Sequence, residues 1–209
     1  MSSQENMVFA TNKTMNQSER GFDFYPTPDE AIKALLQRER FEGNIYECAV
    51  GAGAITDKLL EFGYMDVFGS DIREDSFYHS PSPNGLYRNT SGAGVDFLDK
   101  EQVNRFLAGR SVDNIITNPP FGTRFEPFAI HALELASRKV AFLARLSILE
   151  GQSRYRNLFS NQPLRTVYVF SHRIQFVEGK SNVMAMCWLV WEKGYTGRPQ
   201  IEWITKDSI

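Results

Sequence analysis

Three acids, two glycines and one four-residue corner carry the chemistry that this sequence can do. Glu47 stands near the end of the apolar run "NIYECAV", just before Gly51-Ala52-Gly53, and Asp71 ends the run "DVFGSD". Asp96-Phe97 lies in "VDFLD", and Asn118-Pro119-Pro120-Phe121 closes the run "DNIIT". An acid at position 47 would repel a phosphate and suits a cationic ammonium instead. Small residues at 51 and 53 let a ligand approach the main chain. Position 56 holds threonine where a G-x-G-x-x-G fingerprint needs glycine, so a dinucleotide pyrophosphate cradle is poorly supported. Asp71 follows Gly51 by about 20 residues, the distance at which an acid meets ribose hydroxyls in a doubly wound sheet. Ile72 can cover one face of a purine, and Asp96 with Phe97 offers an acceptor and a ring to an adenine amino group and edge. Together these residues fit a nucleoside that carries an amino acid.

The corner raises a separate question. Proline cannot donate to a strand ladder, so Pro119 and Pro120 stop the sheet and leave a stiff, extended segment with free carbonyls. Such a corner either turns the chain or presents those carbonyls to something.

Positioning these residues requires strands that alternate with helices. "PDEAIKALLQRE" predicts a helix, with Pro28 near its first turn, Asp29 and Glu30 at its positive end, and Ala31, Leu35 and Leu36 on one face. "NIYECAV" reads as a strand, "ITDKLLEFGY" as a helix that Gly63 closes, and "DVFGSDI" as a second strand. Residues 73 to 94 read as a long loop, and "VDFLD" as a strand end or turn. "VDNIITN" is another buried strand, "FEPFAIHALELAS" a helix, and "KVAFLARLSIL" a strand that leads into a basic loop or short helix. Last, "RTVYVFSHRIQF" and "VMAMCWLVWEK" should pair antiparallel, since no helix-length segment separates them. Such alternation predicts a mostly parallel sheet covered on both faces, with ligands at the carboxyl ends of its strands.

At 209 residues and 42% hydrophobic, the chain has enough apolar matter for one core. Residues 1 to 20 read as a flexible polar tail, and 21 to 209 as a single domain. No apolar run approaches the ~18 residues of a membrane span, and the N-terminus is too polar for a signal peptide, so a cytoplasmic protein without membrane contact is expected. Cys48 and Cys187 match no zinc spacing and read as reduced thiols; His79, His131 and His172 make no metal site, and no metal is expected. The tryptophans at 188, 191 and 203 are expected to pack the final strands. The net charge of −2 hides an asymmetry: residues 1 to 100 hold 9 basic and 16 acidic residues, and the remainder 14 and 9. Within 138 to 173, seven cations (Arg138, Lys139, Arg145, Arg154, Arg156, Arg165 and Arg173) face only Glu150. That stretch is either a phosphate-binding face or a solvated surface.

In order, "DFYPTP", "ECAVGAGAI", "GSDI", "VDFLD" and "NIITNPPF" resemble the class I S-adenosylmethionine-dependent methyltransferases that modify exocyclic amino groups, particularly the adenine-N6 enzymes. The closing "WLVWEKGYTGRPQIEWI" looks like small phage- and prophage-type DNA adenine methyltransferases. The resemblance covers about residues 22 to 193 and implies an α/β, Rossmann-like, doubly wound sheet of seven strands, mostly parallel, with an antiparallel C-terminal strand. It implies S-adenosylmethionine as cofactor and S-adenosylhomocysteine as product. Phe24, Tyr25 and Thr27 would close over the methionine end; Glu47 with the Gly51 to Gly53 loop would hold the methionine moiety, Asp71 the ribose, and Asp96 with Phe97 the adenine. Asn118 and the Pro119 carbonyl would accept the two hydrogens of the target amine, Pro120 would help stiffen the corner, and Phe121 would stack on the target base.

Two fixed acceptors suit that chemistry, because they favour a pyramidal nitrogen as positive charge develops on it. The tyrosine form of the motif is typical of related enzymes that methylate glutamine, so Phe121 tilts the expectation toward a base. DNA is the expected partner, contacted by Arg145, Arg154, Arg156 and Arg173. RNA adenine, a glutamine amide, or a silent nucleic-acid-binding protein of the same fold are the alternatives. A long recognition insertion is absent, so selectivity is expected to be slight, or supplied by the basic stretch, the N-terminal tail, or a partner or second subunit.

Overall fold

A computed structural model describes residues 26–74, 91–176 and 184–209. Phe24, Tyr25, His79 and the polar segment 1–20 lie outside the described residues. The chain enters helix α1 (Asp29–Leu36) through Pro28, whose φ of −59° is already helical, and acids fill the first turn. This helix buries Ala31, Ile32, Ala34, Leu35 and Leu36. Then follow β1 (Ile45–Glu47), α2 (Ala54–Glu61), β2 (Val67–Asp71), β3 (Ser91–Ala93), α3 (Lys100–Leu107), β4 (Asn114–Thr117), α4 (Phe125–Leu135) and β5 (Lys139–Arg145). Helical turns over Leu146–Leu149 and Gln152–Phe159 lead to β6 (Leu164–Phe170), β7 (Met186–Glu192) and the edge strand β8 (Gln200–Ile204).

The strands form one sheet in the order β3-β2-β1-β4-β5-β7-β6-β8. All neighbours pair parallel except β7, which runs antiparallel between β5 and β6. The expected seven strands are eight. The additional strand, β8, pairs parallel with β6 and places Ile201 beside Val167 and Trp203 beside Val169. Strand order reverses at β1, which lies between β2 and β4, and the carboxyl ends flanking that reversal open a crevice. At the opposite end Asn44 and Asp113 clasp each other across 69 positions: the Asn44 N–H donates to Asp113 Oδ2 at 3.0 Å, and the Asp113 N–H donates to Asn44 Oδ1 at 2.9 Å.

Both sheet faces are covered. One carries α1 and α2 over Ile45, Ile116, Leu143 and Trp188; the other carries α3 and α4 over Tyr46, Ile115, Phe142 and Trp191. Trp188 donates to the Ala31 carbonyl at 2.8 Å and Trp191 to the Leu158 carbonyl at 2.9 Å, so each ring packs while its N–H is satisfied. Trp203 differs from expectation: it points outward from the edge strand and is 61% exposed. Helix α3 is additional to the helices expected from the sequence. Asp99 caps it by accepting from the N–H groups of Glu101 and Gln102, and Val103 and Leu107 anchor it.

Seven cations clustered in sequence do not cluster in space. Lys139 pairs with the buried Glu39 at 2.8 Å, Arg165 pairs with Glu39 and, at 2.6 Å, with Glu192, and Arg138 pairs with Glu42 at 2.9 Å, all at the amino end of the sheet. Arg145 ends β5 at the carboxyl end, and Arg173 follows β6 there. Arg154 and Arg156 lie on the helical turn and donate to main-chain carbonyls, Arg154 to Ile148 and Glu150, Arg156 to Gln152. Among the described residues these four arginines have no carboxylate partner.

Candidate active site

Strand ends bring the sequence motifs into one cavity. The turn after β1 is the first wall. Gly51 and Gly53 have φ of +56° and +85°, and Gly53 also caps α2, so a side chain at either position would be strained. The turn is tied to β2: the Gly51 N–H donates to Asp71 Oδ2 at 2.7 Å, and the Val50 N–H donates to the Ser70 carbonyl at 3.1 Å. Asp71 Oδ1 accepts from the Arg73 N–H at 2.8 Å, so this carboxylate organises two loops as well as facing the cavity.

Glu47 is 2% exposed. Its Oε2 accepts from the Thr56 N–H at 3.1 Å and from the Thr56 hydroxyl. Thr56, the residue that breaks the dinucleotide fingerprint, is thus the one that orients the acid. Burial holds the Glu47 carboxyl well above the usual carboxylate range, Thr56 opposes that shift, and the neighbouring Asp71 and Asp57 charges add to it. A cation bound beside it would reverse the balance.

The next wall is the turn after β3. Asp96 lies past the end of that strand and accepts from the Leu98 N–H at 3.0 Å. Phe97 is buried, stacked with His131 at a centroid distance of 4.6 Å and tilted against Phe128 at 4.9 Å, so its ring backs the cavity from the core. His131 Nδ1 donates to the Phe97 carbonyl at 2.6 Å, which fixes its tautomer, because a carbonyl only accepts. Burial pushes the pKa of His131 down. It is therefore a neutral clamp on the Asp96-Phe97 turn. Nothing in its isolated position in the sequence signals that role.

The last wall is the corner. β4 ends at Thr117, and Asn118, Pro119, Pro120 and Phe121 all line the cavity. The Arg145 guanidinium lies over the Phe121 ring at 4.7 Å. Arg124, three residues on, reaches across to Asp96. Neither arginine contact is legible in the sequence, since each joins side chains from separate parts of the chain. Thr27 and Ile72 also line the cavity, whereas Gly53, expected beside the cofactor, is not among the lining residues; Phe24 and Tyr25 lie outside the described residues.

The cavity measures about 280 Å³ and opens to solvent. Its donor set fits the ligand inferred from sequence. A buried acid suits an ammonium, the main chain at the left-handed Gly51 allows close approach, and two further acids stand at successive strand ends. Among the described residues no group of histidine, cysteine, aspartate and glutamate side chains could hold a metal ion, and no helix is long and apolar enough to cross a membrane.

Comparison with solved structures identifies the fold. A modification subunit assigned to a type I restriction enzyme of Vibrio vulnificus superposes with a TM-score of 0.60 at 15% identity, over 88% of this chain and 50% of that one. The M protein of the type I restriction enzyme EcoKI gives 0.55 at 15% identity, over 81% and 44%. A protein from Pyrococcus horikoshii assigned as an RNA methyltransferase gives 0.54 at 18% identity, over 85% and 88%. The chain thus spans about half the length of the two modification proteins. At these identities the likeness is one of fold, the Rossmann-like fold of class I methyltransferases. No protein-family model matches the chain, and no curated protein does.

Proposed function

We propose that the protein is an S-adenosylmethionine-dependent methyltransferase acting on an exocyclic amino group, with adenine N6 in DNA as the favoured target. One observation carries this reading: the Asn118-Phe121 corner lines the same cavity as Glu47, Gly51, Asp71 and Asp96. A cavity with only the acids and glycines would suit many nucleoside ligands. One with only the corner would be a strand-ending turn.

When bound, the cofactor supplies an electrophilic methyl group on a sulfonium. Glu47 and the glycine turn hold its amino-acid end, Asp71 its ribose and Asp96 its purine. Asn118 and the Pro119 carbonyl accept the hydrogens of the target amine and draw its lone pair out of conjugation as charge builds on nitrogen. The two prolines hold these acceptors in place before the target arrives, so little ordering remains for the transition state. Phe121 stacks on the target base, which in a duplex must be flipped out. Arg145, Arg154, Arg156 and Arg173 contact phosphates, and the residues from 21 onward work as one domain. The fold shared with the two modification proteins supports a DNA target and subunit partners that supply sequence selectivity.

Mass spectrometry of nucleosides from DNA and RNA, and of peptides from added protein, after incubation with the protein and labelled cofactor tests the proposal. N6-methyladenine in DNA is the expected product. Label in RNA adenine or in protein glutamine would move the target while keeping the chemistry, and absence of label from all three would refute it.

A further inference from the structure

Asp96, the acid assigned to the purine amine, is already engaged. A single nitrogen of Arg124, Nη2, bridges both carboxylate oxygens, at 3.0 Å to Oδ1 and 2.9 Å to Oδ2. Oδ1 also accepts from the Leu98 N–H, and the Asp96 N–H donates to Gln102 Oε1 at 3.0 Å, so the turn itself is held independently of Arg124. The arginine pair is a weak kind. It lacks the two-nitrogen fork that makes guanidinium pairs strong, and its side chains are 37% and 31% exposed. Oδ1 already accepts from two donors, so an amine presented to Asp96 must crowd that one nitrogen at Oδ2 or take its place.

Arg124 also belongs to the corner. It caps α4 at the end of the turn Gly122–Arg124, which follows Phe121 directly, and Gly122 has φ of +80°. The ion pair therefore ties the purine wall of the cavity to the segment that carries Asn118 and Phe121. Resting on the methyltransferase reading above, we infer that Arg124 is a latch: it closes on Asp96 when the purine position is empty, and a bound purine displaces it. Released, its guanidinium is a free cation beside the corner, available to a phosphate of the target strand. Purine binding then promotes target binding, and by linkage the target promotes purine binding by the same factor. Arg124 is a positioning residue in this scheme, not a catalytic one.

Calorimetry with S-adenosylhomocysteine and with methionine, which lacks the purine, separates a latch from a structural tie. Arg124→Ala should bind S-adenosylhomocysteine about two- to fivefold more tightly, the size of a half-exposed ion pair that no longer has to open, and should bind methionine unchanged. S-adenosylhomocysteine should strengthen binding of an adenine-containing DNA oligonucleotide to the wild type and not to Arg124→Ala. Arg124→Gln gives the same reading should the alanine variant fail to fold. Weaker binding of S-adenosylhomocysteine by the variant, or unchanged affinity and unchanged coupling, overturns the latch while leaving the methyltransferase reading intact. Failure of the folded wild type to bind S-adenosylhomocysteine overturns both.

Discussion

The Arg145 guanidinium covers the Phe121 ring at 4.7 Å, so one face of the ring proposed to stack on the target base is already occupied by a cation. Such a contact is worth about 0.5 to 1 kcal/mol at an exposed site, less than stacking a base, at about 1 to 3 kcal/mol. A base can therefore either displace Arg145 or use the opposite face and keep it. In both cases Arg145 stands within reach of the strand that delivers the base. Arg145→Ala should weaken oligonucleotide binding and make its log-log salt dependence shallower by about one unit. Fluorescence anisotropy across a salt series measures this, and an unchanged slope would remove Arg145 from the interface.

Phe121→Ala and Asn118→Ala should separate capture from chemistry. The first should weaken target binding by about 1 to 3 kcal/mol through lost stacking. The second should lower turnover by roughly a hundredfold or more, the cost of one transition-state acceptor, with affinity for S-adenosylhomocysteine nearly intact. Steady-state kinetics alongside calorimetry reads both. Full activity in Asn118→Ala would make the corner a turn and nothing else.

Legibility in the sequence followed the distance over which a residue acts. The acids, the glycines and the corner converge because strand ends in a parallel sheet must converge, and the alternation of strands and helices carried that information. Helix α3 carries a readable cap and face, Asp99 with Gln102 and Val103 with Phe106 and Leu107, but it stands in an otherwise polar stretch. Strand β8 alternates polar and apolar residues over Gln200–Ile204, but its Ile201 and Trp203 face outward, so the alternation there marks no core face. The pairs Arg124 with Asp96 and Arg145 with Phe121 depend on how loops lie against each other, and no local pattern encodes that.

Asp71→Ala should weaken S-adenosylhomocysteine by about 1 to 3 kcal/mol through lost hydrogen bonds. It should also loosen the Gly51 turn, whose N–H donates to this carboxylate at 2.7 Å. Calorimetry gives the first effect, and faster amide exchange at Gly51 in the absence of ligand gives the second. Calorimetry in which NAD binds and S-adenosylhomocysteine does not would exclude the cofactor proposed here.

Glu47 predicts a pH dependence. Its folded-state pKa is raised by burial, so its contribution to stability is fully present below the unfolded-state pKa of about 4.3 and is lost as pH rises through the folded-state value. Ligand-free protein should therefore lose stability across that window, and Glu47→Gln should flatten the profile. An ammonium-bearing ligand favours the ionised acid, so binding of S-adenosylhomocysteine should tighten with rising pH over the same window and release a proton. Calorimetry in buffers of different ionisation enthalpy detects the proton; its absence would place the ammonium elsewhere.

Neutralising Arg154 and Arg156 together should weaken oligonucleotide binding for all sequences alike and reduce the salt slope by about one unit per contact. Both side chains donate to carbonyls of their own turn, so thermal melts of the double variant must accompany the binding data. Unchanged affinity and slope would return them to the solvated surface.

The reciprocal clasp of Asn44 and Asp113 spans 69 positions, and the pairing of β1 with β4 just beyond it closes a loop of the same size. Such closure costs chain entropy before any contact repays it, so topologies of this kind fold slowly. The cavity inherits that order of events. A chain emerging from synthesis only as far as Arg110 holds Glu47, Asp71 and Asp96 but not the corner, and the two sides first meet when β4 docks beside β1. A ligand that touches both sides recognises only a chain in which β4 has docked, and its binding energy is added to that non-local step of folding.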